Sequence, residues 1–251
     1  APLMASFCDY DCDGDLDLFV HCSEYQREGG RPVEPPVIEE NGKYRVIEEF
    51  EKYYTVKPDE RGKQTFVNAG RTNHLFRNEG AGKKFTDVTK SAGIGVRNIS
   101  NSSTWWDYNQ DGWLDLYVGN DFRDADQLYR NNGDGTFTDV IANTLSHTSW
   151  FSMGADAADV NNDGLIDFLI ADMAGTTHYI SKATMGEMDK FKDFMMTAVP
   201  RQFMRNALYV NTATPRFLEA SFMAGLASTD WTWAVKFGDF DNDSLTDVFF
   251  S

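Results

Sequence analysis

The sequence is poor in several features that would assign it to common classes of protein. It has only three cysteines, Cys8, Cys12 and Cys22, and no Cys-x-x-Cys pair, so neither a closed disulfide framework nor a thiolate zinc site is indicated. No apolar run approaches the ~20 residues that span a bilayer. We interpret the cysteines as buried or unreactive thiols, with one internal disulfide left open.

Positive charge is also scarce. The chain has 23 Lys and Arg against 39 Asp and Glu, a formal net charge of −16. This balance argues against a nucleic-acid partner, whose phosphates require basic residues. Four short loops hold 15 of the 39 acidic residues, so we attribute much of the charge to metal sites; four Ca²⁺, each of charge +2, would bring −16 to −8.

Signatures of catalysis are missing. The four histidines are scattered, and HExxH, GxSxG, P-loop and GxGxxG motifs do not occur. A polysaccharide lyase would need a base beside a charge-neutralising cation, and the one candidate cluster is Arg201 and Arg205 with His178. We therefore predict no enzymatic activity, with a carbohydrate-active enzyme of the polysaccharide-lyase type as the alternative.

A nine-residue, Asp-rich pattern occurs four times, beginning at residues 9, 107, 159 and 239. Positions 1, 3, 5 and 9 are Asp or Asn, and position 6 is Gly in the first three copies, where the backbone needs positive φ. Such loops suit Ca²⁺, which takes roughly six to eight oxygen ligands, with position 7 supplying its carbonyl. The candidate ligands are Asp9, Asp11, Asp13, Asp15 and Asp17; Asp107, Asn109, Asp111, Trp113 and Asp115; Asp159, Asn161, Asp163, Leu165 and Asp167; and Asp239, Asp241, Asp243, Leu245 and Asp247.

Two alternative motifs share part of this loop pattern. An EF-hand needs a Glu at position 12 and flanking helices; position 12 here is apolar and lies in β-rich runs, which excludes it. The other reading is a turn whose side chains bond their own backbone, and four copies in register make it the weaker one. Ser244 replaces the glycine of the fourth loop and predicts a weaker site there, whereas the five Asp of the first loop predict the tightest.

A second pattern follows each of the first three loops, with leucines at 75, 128 and 208 and, in its fullest copies, a Phe-Thr-Asp-Val segment that predicts strands at 85–89 and 137–141. The step from that leucine to the next loop is 31 or 32 residues, whereas the step from a loop to the next leucine is 58, 13 or 41. One half of the unit is therefore fixed, and insertions enter the other half at one point. Each unit predicts four short strands, as in a propeller blade.

The predicted organisation is an all-β partial propeller. Blade 1 spans about residues 3–100 with an insertion at 24–70, blade 2 about 101–148, blade 3 about 149–228 with an insertion at 174–205, and a partial blade 4 about 229–251. The first insertion predicts an irregular excursion with one strand pair. The second predicts a capping box at Thr184 and Glu187, followed by a short amphipathic helix carrying Met188, Phe191 and Met195.

Together these patterns resemble the integrin-α-like FG-GAP/VCBS repeats, and residues 105–251, above all 229–243, resemble bacterial relatives of the cartilage acidic protein family. The resemblance implies a propeller, usually of seven blades, with up to four Ca²⁺ held at loop positions 1, 3, 5, 7 and 9. Ser244 is the departure. It also implies an extracellular, cell-surface or periplasmic location.

The function that follows from this resemblance is a calcium-binding adhesion, binding or structural module. The insertions would emerge on the face opposite the loops, where a protein or glycan ligand is expected. Three blades and part of a fourth cannot close, so we expect further blades or another chain to complete the arc, because open sheet edges invite association.

Overall fold

The computed structural model describes residues 2–58, 63–122, 124–185 and 198–251, and within them the protein is all-β with short helices. Three four-stranded antiparallel sheets follow one another along the chain, each with its strands in chain order, and a two-stranded hairpin comes last. The strands are Pro2–Cys8, Asp17–Cys22, His74–Asn78 and Phe85–Asp87 in the first sheet; Ser100–Trp106, Asp115–Asn120, Gln127–Asn131 and Phe137–Asp139 in the second; Gly154–Ala158, Asp167–Ala171, Ala207–Val210 and Leu218–Glu219 in the third; and Val235–Gly238 and Asp247–Phe250 in the final hairpin.

Smaller elements join these sheets. In the part of the chain that the structure describes, five two-stranded pairs join Val37–Glu40 with Lys43–Val46, Tyr54–Pro58 with Gln64–Asn68, Arg71–Thr72 with Arg97–Asn98, His147–Ser149 with Arg201–Phe203, and Met173–Ala174 with Asp230–Trp231. Among the described residues, the helices are Thr89–Ala92, Ile141–Thr144 and His178–Met185, and Glu48–Phe50 is a 3₁₀ turn.

The sheets pack face to face in chain order, which buries their second strands. Strands Asp115–Asn120 and Asp167–Ala171 are buried throughout, which explains why they read as continuous apolar runs rather than alternating ones. We call the apolar interface between two neighbouring sheets a seam. The first seam buries Phe19 and Leu75 against Leu116 and Val118, the second buries Tyr117 and Leu128 against Phe168 and Ile170, and the third buries Leu169 and Leu208 against Val235.

The outer face of the first sheet has no sheet packed on it among the described residues. Phe7, Leu18 and Phe76 lie side by side there, and Phe7 is 60% exposed. Trp105 and Leu116 take the same positions in the second sheet, where the first seam covers them. The open face therefore has the residues of a seam without a neighbour.

A side-chain oxygen closes each sheet at the end away from the Asp-rich loops. The backbone N–H at the end of the second strand donates to an Asn or Asp just before the third strand. The pairs are Cys22 with Asn73 at 2.8 Å, Asn120 with Asp126 at 2.8 Å, and Asp172 with Asn206 at 2.7 Å. We call these three acceptors the closing Asx residues. They hold together the end of the second strand and the start of the third strand, between which the insertions emerge. The insertions therefore lie at the end of the sheets opposite the Asp-rich loops, as predicted.

The fourth strands end earlier than predicted. The sequence indicated strands at 85–89 and 137–141, yet the chain turns into helix Thr89–Ala92 in one case and Ile141–Thr144 in the other. Asp87 and Asp139 explain the difference, because their carboxylates accept the N–H two residues on, at 3.0 and 3.1 Å. These Asx turns compete with continuing the strand.

Both insertions differ in part from expectation. Residues 24–70 hold two strand pairs rather than one. The helix of the second insertion starts at His178, so the predicted capping box at Thr184 is wrong: Thr177 begins the helix, accepting the Ile180 N–H at 3.1 Å. Residues Glu187, Met188, Phe191 and Met195 lie outside the described residues. The cysteines are free thiols, Cys8 and Cys22 buried and Cys12 exposed, which closes the disulfide alternative.

Candidate functional site: four aspartate-rich loops

All four Asp-rich loops join a first strand to a second strand and share one hydrogen-bond pattern. In the first loop the Asp9 carboxylate accepts the N–H groups of Asp13 and Gly14, both at 3.0 Å, and Asp13 accepts that of Asp15 at 2.9 Å. The same three bonds recur at 2.8–3.1 Å in the loops that begin at Asp107, Asp159 and Asp239. Side-chain oxygens thus shape each loop around its own backbone.

The loop backbone is left-handed at two positions. Position 6 has φ of +91°, +90° and +85° at Gly14, Gly112 and Gly164, which confirms the predicted need for glycine, and +69° at Ser244. Position 4 is also left-handed, with φ of 57–61° in non-glycine residues, a feature the sequence did not reveal. The positions are Cys12, Gln110, Asn162 and Asn242.

The Asp at position 9 is the buried anchor of the first three loops, whereas Asp247 of the fourth loop is half-buried. Asp17, Asp115 and Asp167 are fully buried. Burial raises the pKa of Asp17 to about 6 and that of Asp115 to about 7. One carboxylate oxygen accepts the N–H of loop position 2, and the other accepts the N–H of an Asn that ends the third strand of the same sheet. Asp17, for example, accepts from Tyr10 at 3.2 Å and from Asn78 at 2.8 Å.

Carboxylate oxygens converge most closely in the first and last loops. Oxygens of Asp9, Asp11 and Asp17 lie within 4.8 Å of one another, as do those of Asp239, Asp241 and Asp247. In the second and third loops position 3 is Asn109 or Asn161, so an amide oxygen takes that place; each also accepts a loop N–H, at 3.1 and 3.0 Å.

One oxygen in the first loop tests the fit to a cation. Asp11 Oδ1 is buried and has no hydrogen-bond partner. The pKa of Asp11 is raised by burial and then by the negative charges of Asp13 and Asp9. An unpartnered buried oxygen is costly, and a hard cation with oxygen ligands would satisfy it. The donor set is therefore one that fits Ca²⁺.

The side chain at position 7 points away from the loop interior in the first and second loops. The Asp15 carboxylate accepts the Ala81 N–H at 3.1 Å, in the turn that follows the third strand. At Trp113 the indole covers the turn at Gly133, since a Cβ added there would lie 2.9 Å from its Nε1. These contacts leave the carbonyl as the group that position 7 offers.

A cleft of about 580 Å³ lies at the other end of the sheets, between the first insertion and the second sheet. Lys57 donates to Asp124 across it, and the second oxygen of Asp124 accepts the Ile99 N–H at 2.8 Å. Burial, followed by the charges of Asp124 and Glu24, raises the pKa of Asp121 to about 6. Other lining residues include Arg31, Phe66, Asn68, Phe122 and Phe151.

The predicted cluster of Arg201 and Arg205 with His178 has a different histidine in the structure. Arg205 Nη2 lies 3.2 Å from His147 Nε2 and 3.5 Å from Glu219, whereas His178 is exposed on its helix. Burial and then the Arg205 charge lower the pKa of His147 to about 4. Arg205 also lies over two phenylalanine rings. His147 is thus the histidine that contacts Arg205.

The sequence missed the Asn residues that end the third strands. Asn78, Asn131 and Asn211 are buried and bond to the loops of their own sheets. Their signal was present in the second repeated pattern, where an Asn follows each of the leucines at 75, 128 and 208 by three residues, but the pattern alone does not say what the side chain contacts.

Comparisons with known proteins bear on these loops. A family model described as an FG-GAP-like repeat matches residues 107–170, from the second loop into the strand after the third, which supports the repeat family. A search of curated proteins finds no match. One similar solved structure concerns recognition of non-reducing terminal N-acetylglucosamine by an Agrocybe aegerita lectin; the TM-score is 0.28 and the identity 15%, covering 98% of this chain and 74% of that one. So low a score leaves the repeat match as the informative comparison. No helix among the described residues is long and apolar enough to cross a membrane.

Proposed function

We propose that this chain is a section of a β-propeller of FG-GAP-type repeats, similar to the cartilage acidic protein family, whose loops bind up to four Ca²⁺. It acts outside the cell, in the periplasm or at the cell surface as a binding or adhesion module. The observation that carries the proposal is the unpartnered, buried Asp11 Oδ1 within a loop pattern that recurs four times. The repeat match across two of the loops supports it.

A bound cation would supply positive charge and oxygen coordination where burial and neighbouring carboxylates disfavour ionised Asp. Loop positions 1, 3, 5 and 9 would contribute side-chain oxygens and position 7 its carbonyl. The chain's own share is to hold these oxygens in place, through the backbone N–H donors to positions 1 and 9. Each loop closes a hairpin, so occupancy would stabilise the first and second strands of its sheet.

Thermal unfolding with Ca²⁺, Mg²⁺ or a chelator tests the calcium proposal. A ligand present at 100 times its Kd adds about 2.7 kcal/mol to the free energy of unfolding, so we expect Ca²⁺ to raise Tm by several degrees and Mg²⁺ to do less. The double variant Asp9→Ala with Asp11→Ala should lose one site by titration calorimetry. A melting temperature indifferent to the chelator, with no binding heat, would refute the proposal.

The ligand of the module is proposed to be a protein or a glycan that binds on the insertion face. The cleft beside Lys57 and Asp124 supports this choice, because it combines charged groups with aromatic rings. Turnover of uronic-acid polymers is the assay that separates binding from catalysis. We expect none from the wild type, and activity that disappeared in Arg205→Ala would make the chain an enzyme instead.

A further inference from the structure

Asn131 joins two neighbouring Asp-rich loops. Its backbone N–H donates to Asp115 of the second loop at 2.7 Å, and its side-chain amide donates to the Leu114 carbonyl of that loop at 3.1 Å. The same amide nitrogen donates to the Tyr10 carbonyl of the first loop at 2.8 Å. One buried side chain therefore holds the backbone of two loops, and the two residues that it joins across the seam, Tyr10 and Asn131, lie 121 residues apart in the sequence.

The next seam repeats this arrangement. Asn211 donates its N–H to Asp167 at 2.7 Å and its amide to the Ile166 carbonyl at 3.3 Å, both in the third loop. Its amide also donates to the Tyr108 carbonyl of the second loop, at 2.9 Å. In the described residues Asn78 makes the bonds to its own loop without reaching an earlier one. The bridge is thus a property of the seams and not of the Asn position alone.

These bonds form a continuous chain through the buried anchors of three loops. The Tyr10 N–H donates to Asp17 while the Tyr10 carbonyl accepts from Asn131, whose own N–H donates to Asp115. From Asp115 the chain continues in the same way through Tyr108 and Asn211 to the last of the three anchors, Asp167. Each tyrosine lies between two candidate ligands, at positions 1 and 3, so fixing its peptide fixes both neighbours.

We propose that Asn131 and Asn211 are positioning residues that couple neighbouring loops, so that a cation bound in one loop raises the affinity of the adjacent loop for a second cation. The inference rests on the proposed calcium function. A cation that orders one loop fixes its position 9 carboxylate, hence the Asn bonded to it, and hence the carbonyl in the next loop. Repulsion between bound cations acts in the opposite direction and is screened by salt, so moderate salt favours detection of the coupling.

Terbium luminescence can follow the second loop by itself. Tb³⁺ replaces Ca²⁺ in oxygen sites and is sensitised by a nearby indole, and Trp113 is at position 7 of that loop only. Loss of the signal in Trp113→Leu, which introduces the residue of the third and fourth loops, verifies the assignment. The first loop is blocked by Asp9→Ala with Asp11→Ala, and the third by Asp159→Ala with Asp163→Ala.

A crossed comparison of the two asparagines then gives the result. In the wild-type background, blocking either neighbour should weaken terbium binding to the second loop about fivefold or more, the usual range of coupling between sites. In Asn131→Leu, blocking the first loop should have no further effect while blocking the third still does. In Asn211→Leu the dependence is reversed, so each variant is the control for the other.

The outcomes are distinct. Equal blocking effects in wild type and in the Asn variants would overturn the coupling, as would a wild-type protein whose second loop ignores its neighbours. Loss of both dependences in either variant would indicate general damage to the fold and would also overturn the assignment to single seams. A wild type that binds neither Tb³⁺ nor Ca²⁺ removes the proposed function itself. Should Asn131→Leu fail to fold, Asn131→Ser and the Asn211 variant test the same bridge.

Discussion

At the scale of single residues, two buried aspartates outside the loops share a raised pKa but differ in their partners. Asp126 accepts from two hydroxyls, Tyr117 and Ser152, and from the Asn120 N–H. Asp172 accepts from backbone N–H groups, those of Trp150 and Met173 among them, at 2.7 and 2.6 Å. A hydroxyl can rotate so that its oxygen accepts a hydrogen bond, whereas a backbone N–H can only donate one, so the two sites tolerate different substitutions.

The first prediction concerns pH. Burial raises the pKa of Asp126 from 3.8 to about 7, so the folded protein holds a proton there that the unfolded chain loses. Its contribution to stability is complete below pH ~4 and is lost as the pH rises through about 7. Relative to Asp126→Asn, the wild type should lose unfolding free energy between about pH 4 and pH 7. Chemical denaturation in chelator measures this, and parallel pH profiles would contradict it.

Asp172→Asn is the matched control for that substitution. Burial gives Asp172 a pKa of about 7 as well, but an amide nitrogen would face N–H donors. We expect the same pH dependence as for Asp126 and, in addition, an offset of about 1–3 kcal/mol that destabilises Asp172→Asn, the cost of leaving a buried polar group unpaired.

A second residue-scale prediction concerns Ser244. Its φ of +69° is in the left-handed region that penalises a side chain, as at the three equivalent glycines. Ser244→Gly should stabilise the last hairpin by about 0.5–1 kcal/mol after the entropy of glycine is offset, and should strengthen cation binding in that loop.

The reverse change in the second loop provides the control for Ser244→Gly. No atom lies within 4 Å of a Cβ built on Gly112, so Gly112→Ser would report backbone strain without a steric clash. We expect it to destabilise by about 1 kcal/mol. Urea unfolding of both variants would show opposite signs, and equal signs would contradict the strain argument.

At the scale of elements, the sequence predicted the strands well where a fixed spacing supported them. The 31- or 32-residue step located the third strand of one sheet relative to the next loop, and the structure has four-stranded sheets there. The prediction from the sequence was wrong where a side-chain hydrogen bond ends the fourth strand early, as at Asp87 and Asp139. It was also wrong at the start of the helix, because Thr177 gives no stronger capping signal in the sequence than Thr184. The Asp-rich loops were visible as repeats, but the bridges made by Asn131 and Asn211 depend on which sheets pack together.

The first insertion gives a prediction at this scale. Asp124 is almost fully buried and is bonded to Lys57 of strand Tyr54–Pro58, so it ties the insertion to the second sheet. Asp124→Asn places an amide against the Lys57 ammonium and should lower the free energy of unfolding by about 1–3 kcal/mol. Proteolysis of residues 24–70 should then be several-fold faster.

An exposed pair in the same insertion serves as the control. Arg45 and Glu40 lie 3.0 Å apart with both side chains more than half exposed. Because exposed ion pairs contribute little, Glu40→Gln should leave proteolysis unchanged. If the two variants were cleaved at the same rate, the contact between Asp124 and Lys57 would not be what holds the first insertion against the second sheet.

At the scale of the whole molecule, stability depends on seams rather than on isolated sheets. Trp105 lies in the first seam, 6.0 Å from the ring of Phe19, and donates from Nε1 to Ser6 at 3.0 Å. Phe7 takes the equivalent place on the open face. Trp105→Ala should therefore cost about 3–5 kcal/mol, whereas Phe7→Ala should change stability by about 0.5 kcal/mol or less. Melting temperatures of the two variants test this, and similar losses would mean that the open face is covered in solution.

The short connection at residues 121–126 of the second sheet has a practical use. In the first and third sheets the same place carries whole insertions, and in all three a closing Asx residue fastens the two ends with one backbone N–H. A foreign peptide inserted into this connection ahead of Asp126 would therefore begin and end beside a hydrogen bond that, in the other two sheets, already joins the ends of a long insertion. Grafting there offers a way to display new recognition sequences while the aspartate loops, at the far end of the strands, keep their shape.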